Sequence, residues 1–270
     1  MKTRVIAAAA LLPLLLLAVL LAPKIVTAVL FGLMASVGAY ELLYGTGIVK
    51  QKRLILYSML MAFGVAMWSY FSIADVWVQL AVIVLFILLF SEMMASKMQL
   101  QFEKVIVCFA AGVLIPFLLT SIVRIHKTDN GRFFVLVPFV LAFLSDTGAY
   151  FTGLAFGKHK LAPTISPKKT VEGVIGGIAG AMIGMVLYGL VLNVAFDFKV
   201  NYLYALIYGA VGSVGAVFGD LCFSVIKRQS GIKDYGNLIP GHGGILDRFD
   251  SMMVVGPLAE ILLILIPVAV

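Results

Sequence analysis

The chain has 270 residues, of which 62% are hydrophobic and 12% charged. Soluble domains are close to half apolar and about a quarter charged, so this composition excludes a soluble globular enzyme. The net charge of +7 favours anionic lipids or phosphates over nucleic acid as partners of so apolar a chain. Cys108 and Cys222 each lie in an apolar run, which predicts neither a disulfide framework nor a cysteine-based zinc site.

Nine apolar segments are long enough to cross a bilayer core of about 30 Å, which takes roughly 20 helical residues. The first follows Met1-Lys2-Thr3-Arg4, but it is longer than a signal-peptide core and lacks a convincing cleavage site, so we predict an uncleaved span. The predicted fold class is all-α, a polytopic integral membrane protein of about nine transmembrane helices. The predicted spans are 5–22, 25–44, 54–71, 75–93, 105–124, 133–156, 173–196, 201–224 and 251–270.

Positive charge in short loops orients these spans, because Lys and Arg collect on the cytoplasmic side. Here they are concentrated at the N-terminus and in the loops after spans two, four, six and eight. We therefore predict a cytoplasmic N-terminus and a C-terminus outside. The cytoplasmic loops 157–172 and 225–250 are the most basic, and without them the bias is weaker but keeps its direction.

The chain divides into two unequal regions. Of the 26 glycines, 19 fall between Ser145 and Gly256, as do 7 of the 13 acids. We predict an N-terminal scaffold of about five helices in residues 1–132 and a catalytic region of about four helices in residues 133–270. Within the scaffold, Glu41 and Glu92 lie near span ends, where a carboxylate can reach the membrane interface, and are predicted to be structural.

Span seven is rich in glycines at four-residue spacing, a pattern that lets membrane helices approach closely. Gly215 and Gly219 repeat the pattern in span eight. We predict that these two spans pack tightly against each other or against span six. The glycines of span seven are Gly173, Gly176, Gly177, Gly180 and Gly184.

Asp146 lies within span six, about eleven residues or roughly 16 Å from its predicted cytoplasmic end. A carboxylate at that depth costs a few kcal/mol, which a wet cavity, a metal ion or a basic partner would offset. The alternative is an aspartate, protonated or ion-paired, that locks helices together.

Span eight ends in a polar stripe, because Asp220, Ser224, Lys227 and Arg228 stand at i, i+4, i+7 and i+8 of a helix. An i to i+7 pair is too far apart for a simple ion pair within the helix. A phosphate held through a divalent cation explains the stripe better, with carboxylates on the metal and cations on phosphoryl oxygens.

The loop after span eight contains a tight turn that exposes its backbone and can approach a phosphate, formed by Pro240, Gly241, His242, Gly243 and Gly244. Asp247 and Asp250 follow three residues apart, so on a helix they share a face and repel each other unless a cation lies between them. The alternative role for Asp247 is to cap a helix.

The loop after span six carries four lysines, Lys158, Lys160, Lys168 and Lys169. By itself this loop is typical of a cytoplasmic segment that contacts anionic headgroups. His159 and His242 have no partner that spacing identifies.

The segment from Ser224 to Asp250 resembles the signature of the phosphatidate cytidylyltransferase, or CDP-diacylglycerol synthase, family in its bacterial form. It is read as Ser-x-apolar-Lys-Arg, four residues, Lys-Asp-x-Gly, two residues, and Ile-Pro-x-His-Gly-Gly-x-x-Asp-Arg-x-Asp. Residues 145–150 and 166–173 are also similar to family segments, although Val171 stands where an aromatic residue is common. The resemblance covers the C-terminal half closely and the first half only in hydropathy.

The resemblance implies that CTP and phosphatidate react to CDP-diacylglycerol and pyrophosphate, with Mg²⁺ or another divalent cation such as Mn²⁺. It also implies a multi-pass protein of the cell inner (plasma) membrane whose active site faces the cytoplasm, among anionic inner-leaflet lipids. A second cation and a homo-oligomer are left open, and no nucleic acid is expected.

Under this resemblance the predicted catalytic residues are Asp220, Lys227, Arg228, Asp247 and Arg248. The predicted substrate-binding residues are Ser166, Lys168, Lys169, Thr170, Ser224, Lys233, Asp234, Pro240, Gly241, His242, Gly243 and Gly244. The predicted metal ligands are Asp220 and Asp247, followed by Asp250 and Asp146. We expect a polar cavity lined by spans six, eight and the start of nine.

Two alternatives remain. The first is a CTP-dependent transferase or kinase that acts on another lipid, such as an isoprenoid alcohol or an ether lipid. The second, a secondary transporter of an anionic solute, is less favoured, because the chain has no repeat and its charges collect at one face instead of the midplane.

Overall fold

The computed structural model describes residues 13–72, 74–97, 99–238 and 243–269, apart from the side chain of Asp75. Helices dominate the described residues, which confirms the prediction of an all-α polytopic membrane protein. Three residues of the predicted phosphate-binding turn, Pro240, Gly241 and His242, lie outside the described residues.

Helices and one short hairpin follow each other along the chain. The helices are α1 (Lys24–Tyr40), continued by a π-helix (Glu41–Gly45), α2 (Lys52–Phe71), α3 (Asp75–Ala95), α4 (Phe102–Phe109), continued by a π-helix (Ala110–Leu114), α5 (Ile115–Leu119), α6 (Ser121–Lys127), α7 (Gly131–Phe134), α8 (Val137–Phe156), α9 (Val171–Phe196), α10 (Tyr202–Gln229), α11 (Leu246–Phe249) and α12 (Met252–Leu265). Strands β1 (Lys160–Ala162) and β2 (Ser166–Thr170) pair antiparallel between α8 and α9.

Seven helical stretches among the described residues are long and apolar enough to cross a membrane. They correspond to predicted spans two to eight and cover Lys24–Gly45, Lys52–Phe71, Val76–Ala95, Phe102–Lys127, Gly131–Phe156, Val171–Phe196 and Tyr202–Gln229.

The two outer predicted spans have a different outcome. In place of span nine the structure has α12, whose 14 residues extend only about 21 Å at 1.5 Å per residue. Predicted span one, 5–22, lies partly outside the described residues, and its remainder is helical from 13 to 21. The number of spans and the orientation of the termini therefore stay predictions.

The chain forms two compact units, neither of which is continuous in sequence. The first unit comprises the residues up to Lys127 together with Lys227–Phe249, and the second comprises Thr128–Ile226 and the residues from Asp250 onward. Segment Lys227–Phe249, which we call the signature segment, thus belongs to the same unit as the N-terminal helices. The predicted division into a scaffold and a catalytic region stays a prediction.

The first unit holds the signature segment through apolar contacts with α1. The Phe249 ring meets the Phe31 ring edge-on, with centroids 6.0 Å apart. Leu246 is fully buried, and a Cβ added at Gly38 of α1 would lie 3.1 Å from its side chain. The end of the segment at Leu246 and Phe249 is therefore packed against α1.

In the second unit, capping side chains fix where the two long helices begin. The Thr170 hydroxyl accepts a hydrogen bond from the Gly173 amide and thereby starts α9 directly after β2. Asn201 caps α10 in the same way, since its side-chain oxygen accepts from the amides of Leu203 and Tyr204. These caps set where α9 and α10 begin, and α10 carries Asp220 and Ser224.

The glycines of span seven pack against α8, which confirms the prediction of close helix approach. A Cβ added at Gly148 of α8 would lie 2.4 Å from the backbone oxygen of Gly176, and one added at Gly180 would lie 2.7 Å from that of Leu144. Gly215 of span eight has a different neighbour, because its Cβ would lie 2.5 Å from the side chain of Leu258 in α12.

Replacing Gly148 by Ala is expected to lower the thermal unfolding temperature, because the new Cβ would press on the helix backbone opposite, which cannot yield cheaply. The matched control is Gly64→Ala in α2, where a Cβ meets nothing within 4 Å and Ala favours a helix by about 0.5–1 kcal/mol over Gly. Thermal unfolding of both purified variants in detergent measures the difference. An unchanged melting temperature for Gly148→Ala would contradict the close contact.

Candidate active site

In the second unit, a lysine from the hairpin is paired with the aspartate of span eight. Lys169 of β2 forms an ion pair with Asp220 of α10, and the two side chains are 23% and 29% exposed. One turn further along α10, the Ser224 hydroxyl donates to Asp220 Oδ1 at 3.3 Å. The structure therefore brings together three predicted site residues from two separate sequence segments.

The hairpin that carries Lys169 is itself held by an acid. The carboxylate of Glu172, at the start of α9, accepts hydrogen bonds from the backbone amides of Lys158 and His159. The His159 ring also contacts it, with Nδ1 2.6 Å from Glu172 Oε1. The partner of His159, which spacing did not identify, is thus Glu172. Because this contact ties the hairpin to α9, it fixes the strand that presents Lys169.

Other predicted residues of this unit are less enclosed. Asp146 is exposed on α8, and Lys168 is exposed on β2. Asp250 is half-buried, and its Oδ1 accepts the amide of Ser251 at 2.8 Å. Ser166 is half-buried on β2.

Two grooves in this unit have volumes of about 490 and 350 Å³ and are lined by apolar side chains of α9, α10 and α12. Neither is lined by Asp146 or Asp220, so the expected polar cavity stays a prediction.

In the first unit, the centre of the signature segment is a buried ion pair. Lys227 Nζ donates to Asp247 Oδ1 at 2.9 Å, and the two side chains are only 10% and 1% exposed. The same ammonium lies 5.4 Å from the centre of the Tyr235 ring, within the range of a cation–π contact. Each buried charge is costly by itself, so the ion pair offsets part of the cost of burying both residues.

Asp247 also organises the backbone around it. Its second oxygen, Oδ2, accepts the amide of Tyr235 at 2.8 Å and that of Gly244 at 3.0 Å. Gly243 has φ +81°, a left-handed conformation that glycine adopts without strain, and a Cβ there would lie 2.7 Å from Oδ2. The Asp247 carboxylate therefore holds the last two residues of the predicted turn, and the turn as a whole stays a prediction.

The remaining cations of the signature segment are exposed. Arg228 donates from its guanidinium to the backbone oxygen of Ile232 at 3.2 Å. Lys233, Asp234 and Arg248 are exposed as well. The exposed ammonium of Lys233 and guanidinium of Arg248 suit contacts to phosphate oxygens.

The polar stripe of span eight has partners that its spacing did not indicate. Asp220 is neutralised by Lys169, and Lys227 by Asp247, so each charge is compensated by a residue from a loop or from the segment after the helix. Spacing along one helix correctly excluded a pair between Asp220 and Lys227. The actual counterions could not be read from that spacing, because they stand 51 and 20 residues away in the sequence.

The predicted metal ligands differ in how well they suit a divalent cation, which prefers carboxylate oxygens. Asp220 suits one, because its carboxylate is partly exposed and contacts the side chains of Lys169 and Ser224. Asp247 suits one less well, because its two oxygens already accept three donors. Among the described residues, no three His, Cys, Asp or Glu side chains form a group that could hold a metal ion.

Glu41, an acid of the N-terminal region, contacts the signature segment, which the sequence did not predict. Glu41 was expected to reach the membrane interface, but it is 4% exposed and accepts the amides of Ile245 and Leu246 in the signature segment. Its carboxylate is therefore enclosed by protein, while its depth in the membrane stays a prediction. No spacing rule connects residues 204 positions apart, although an acid within an apolar span is itself a signal.

Comparison with known proteins gives consistent similarities. The sequence model of the cytidylyltransferase family matches residues 2–266. A phosphatidate cytidylyltransferase of Staphylococcus saprophyticus is 40% identical over 178 residues, 66% of each chain. Those of Staphylococcus haemolyticus and Staphylococcus epidermidis are 46% and 47% identical over 136 residues, 50% of this chain and 51% of the relative. The alignments thus span between half and just under two thirds of these curated relatives.

Proposed function

Since the chain belongs to the cytidylyltransferase family, we propose that it transfers the cytidylyl group of CTP to phosphatidate, giving CDP-diacylglycerol and pyrophosphate. The observation that carries this proposal is the likeness to relatives named phosphatidate cytidylyltransferase at 40–47% identity. The two lysine–aspartate pairs support it. Polyanionic substrates require cations, a cation is costly to keep in an apolar protein, and an aspartate partner offsets that cost.

The proposed reaction is an in-line displacement at the α-phosphorus of CTP. A phosphate oxygen of phosphatidate forms a new P–O bond, and the bond from the α-phosphorus to the bridging oxygen breaks, so that pyrophosphate leaves with the electron pair. The attacking oxygen is already anionic near neutral pH, so the reaction does not require a strong general base. Positioning and charge neutralisation therefore supply most of the acceleration.

Each group of residues has a proposed role in that displacement. Arg228 and Arg248 hold phosphate oxygens, Lys227 does so by leaving Asp247, and the turn Pro240–Gly244 approaches the triphosphate. Further substrate contacts are assigned to Ser166, Lys168, Lys169, Thr170, Ser224, Lys233 and Asp234.

A divalent cation, magnesium or manganese, would neutralise charge on the phosphates as pyrophosphate leaves. Asp220 is the best-suited ligand, and Asp247, Asp250 and Asp146 are the further candidates. Asp247 can serve only by exchanging one of its present donors.

We place the reaction at the cytoplasmic face of the inner membrane, where a water-soluble nucleotide meets a lipid phosphate. The basic loops 157–172 and 225–250 would lie on that face and attract both substrates.

Purified protein in phosphatidate-containing micelles with Mg²⁺ is expected to convert CTP labelled at the α-phosphorus into a labelled, chloroform-soluble lipid. CTP labelled at the γ-phosphorus should release its label as pyrophosphate and leave the lipid unlabelled. Diacylglycerol, which lacks the phosphate nucleophile, is the matched control lipid and should give no product.

The two labels separate the alternatives. A γ-label that appears in an added isoprenoid alcohol or other lipid would indicate a kinase, and no labelled lipid from any acceptor would overturn the enzyme proposal. Chelation by EDTA should stop turnover and added Mg²⁺ should restore it, whereas turnover that is insensitive to EDTA would contradict the metal proposal alone.

A further inference from the structure

We propose that Glu41, in the N-terminal helical region, is a positioning residue for the signature segment, which it holds in the conformation needed for cytidylyl transfer. This inference rests on the proposed function for its catalytic consequence. Glu41 is not proposed to contact the substrate. Glu41 acts through the backbone that carries Asp247 and Arg248.

The two carboxylate oxygens of Glu41 bind two successive amides. Oε1 accepts the amide of Ile245 at 3.0 Å, and Oε2 accepts that of Leu246 at 2.9 Å. Glu41 is 4% exposed, so these bonds are shielded from water. An acceptor that is lost at this site would leave buried amides unpaired, which costs far more than the loss of an exposed hydrogen bond.

The helix that carries Glu41 changes its hydrogen-bonding pattern at this residue. α1 changes at Tyr40 into a π-helix that runs from Glu41 to Gly45. Such single-turn π segments are rare and frequently occur at functional sites, because the wider turn redirects the side chains that it carries. Here the segment begins with the acid that reaches the signature segment.

The signature segment is shaped to fit around this acid. A Cβ added at Gly244 would lie 2.4 Å from the Glu41 carboxylate, and one added at Gly236 would lie 2.7 Å from it. At the other end of the π-helix, a Cβ at Gly45 would lie 2.1 Å from the backbone oxygen of Tyr235. Two glycines of the family-like signature are therefore explained by close approach to Glu41.

Glu41 and Asp247 together accept hydrogen bonds from one stretch of backbone. Asp247 binds the amide of Gly244, and Glu41 binds those of Ile245 and Leu246, so three successive amides each have a carboxylate acceptor. The residues that follow directly are Asp247 itself, which pairs with Lys227, and the exposed Arg248. The orientation of both proposed catalytic side chains thus depends on contacts made by Glu41.

The decisive variant is Glu41→Gln, which keeps the shape of the side chain but replaces one acceptor oxygen by a donor group that faces an amide. Glu41→Asp keeps the charge with a shorter reach. The matched control is Glu92→Gln in α3. Glu92 is another acid of an apolar span, but its carboxylate contacts the side chains of Arg53 and Tyr57 in α2, each at 3.4 Å.

We expect kcat of Glu41→Gln to fall by about tenfold or more, since small displacements at a reacting centre are costly. The variant should still fold, with a melting temperature lowered by the loss of one buried acceptor, and hydrogen exchange should become faster in peptides that cover residues 243–249. Glu41→Asp should recover part of kcat, and Glu92→Gln should match the wild type in every measurement.

Wild-type kcat and KM in Glu41→Gln, or unchanged exchange over residues 243–249, would overturn the inference, as would an equal loss of kcat in Glu92→Gln. If Glu41→Gln does not fold, Glu41→Asp decides: reduced kcat at an unchanged melting temperature supports positioning, and full kcat excludes it. Exchange does not depend on turnover. If the wild-type protein makes no CDP-lipid but Glu41→Gln still exchanges faster, the proposed function is rejected and the structural role of the Glu41 contact is retained.

Discussion

Replacing Asp247 by Asn is expected to reduce CDP-diacylglycerol formation by about a hundred- to a thousandfold, the loss typical of removing one group that stabilises a transition state. The substitution also leaves the Lys227 ammonium buried without its counterion. Breaking such a pair from one side costs about 3–5 kcal/mol, so the melting temperature should fall as well. Initial rates with α-labelled CTP and thermal unfolding in the same detergent measure the two effects.

A double variant separates these two effects. Lys227→Met combined with Asp247→Asn removes both charges, so no unpaired charge remains buried and most of the lost stability should return. Activity should not return, because the proposed phosphate contact of Lys227 and the carboxylate are both gone. Activity that recovered together with stability would show that the pair is structural and would contradict the catalytic assignment.

Replacing Asp220 by Asn is expected to abolish metal-dependent turnover with little change in stability. Its carboxylate is 29% exposed, so the ion pair with Lys169 contributes at most about 1 kcal/mol. The asparagine oxygen can still accept from Ser224, which preserves the local geometry. The variant should therefore unfold at nearly the wild-type temperature while the rate at saturating Mg²⁺ falls by about a thousandfold.

Asp197→Asn is the matched control for Asp220→Asn in the same unit. Asp197 ends α9 with φ 57°, a left-handed conformation that Asn also tolerates. This control should keep full activity. Near-normal turnover in Asp220→Asn across a range of Mg²⁺ concentrations would reject Asp220 as the leading metal ligand.

The fold could be predicted from the sequence wherever the signal was a long apolar run. Spans two to eight were found at nearly the observed bounds, since roughly 20 apolar residues in a row indicate a membrane helix almost regardless of context. The ninth span stays a prediction, because apolar residues continue past Leu265 while the helix ends there. Composition shows that a segment avoids water, but it does not show where the helical hydrogen bonds stop.

The chemistry of the candidate site could be predicted in part. Local patterns identified the acid at Asp220, the cations after it and the glycine turn, because each depends on residues a few positions apart. The pair between Lys169 and Asp220 was not identified, since helix spacing says nothing about which loop approaches a given turn. The buried pair between Lys227 and Asp247 was missed for the same reason.

By itself the sequence determined that this protein spans a membrane, where most of its helices run and which segment resembles a cytidylyltransferase signature. Those properties follow from hydropathy and local order, which neighbouring residues decide. Only the tertiary structure determined that Asp247 neutralises Lys227 and that Glu41 holds the amides of Ile245 and Leu246. Such partners are selected by packing between residues far apart in the chain, and a polar group buried there must find a partner or bear the full cost of desolvation.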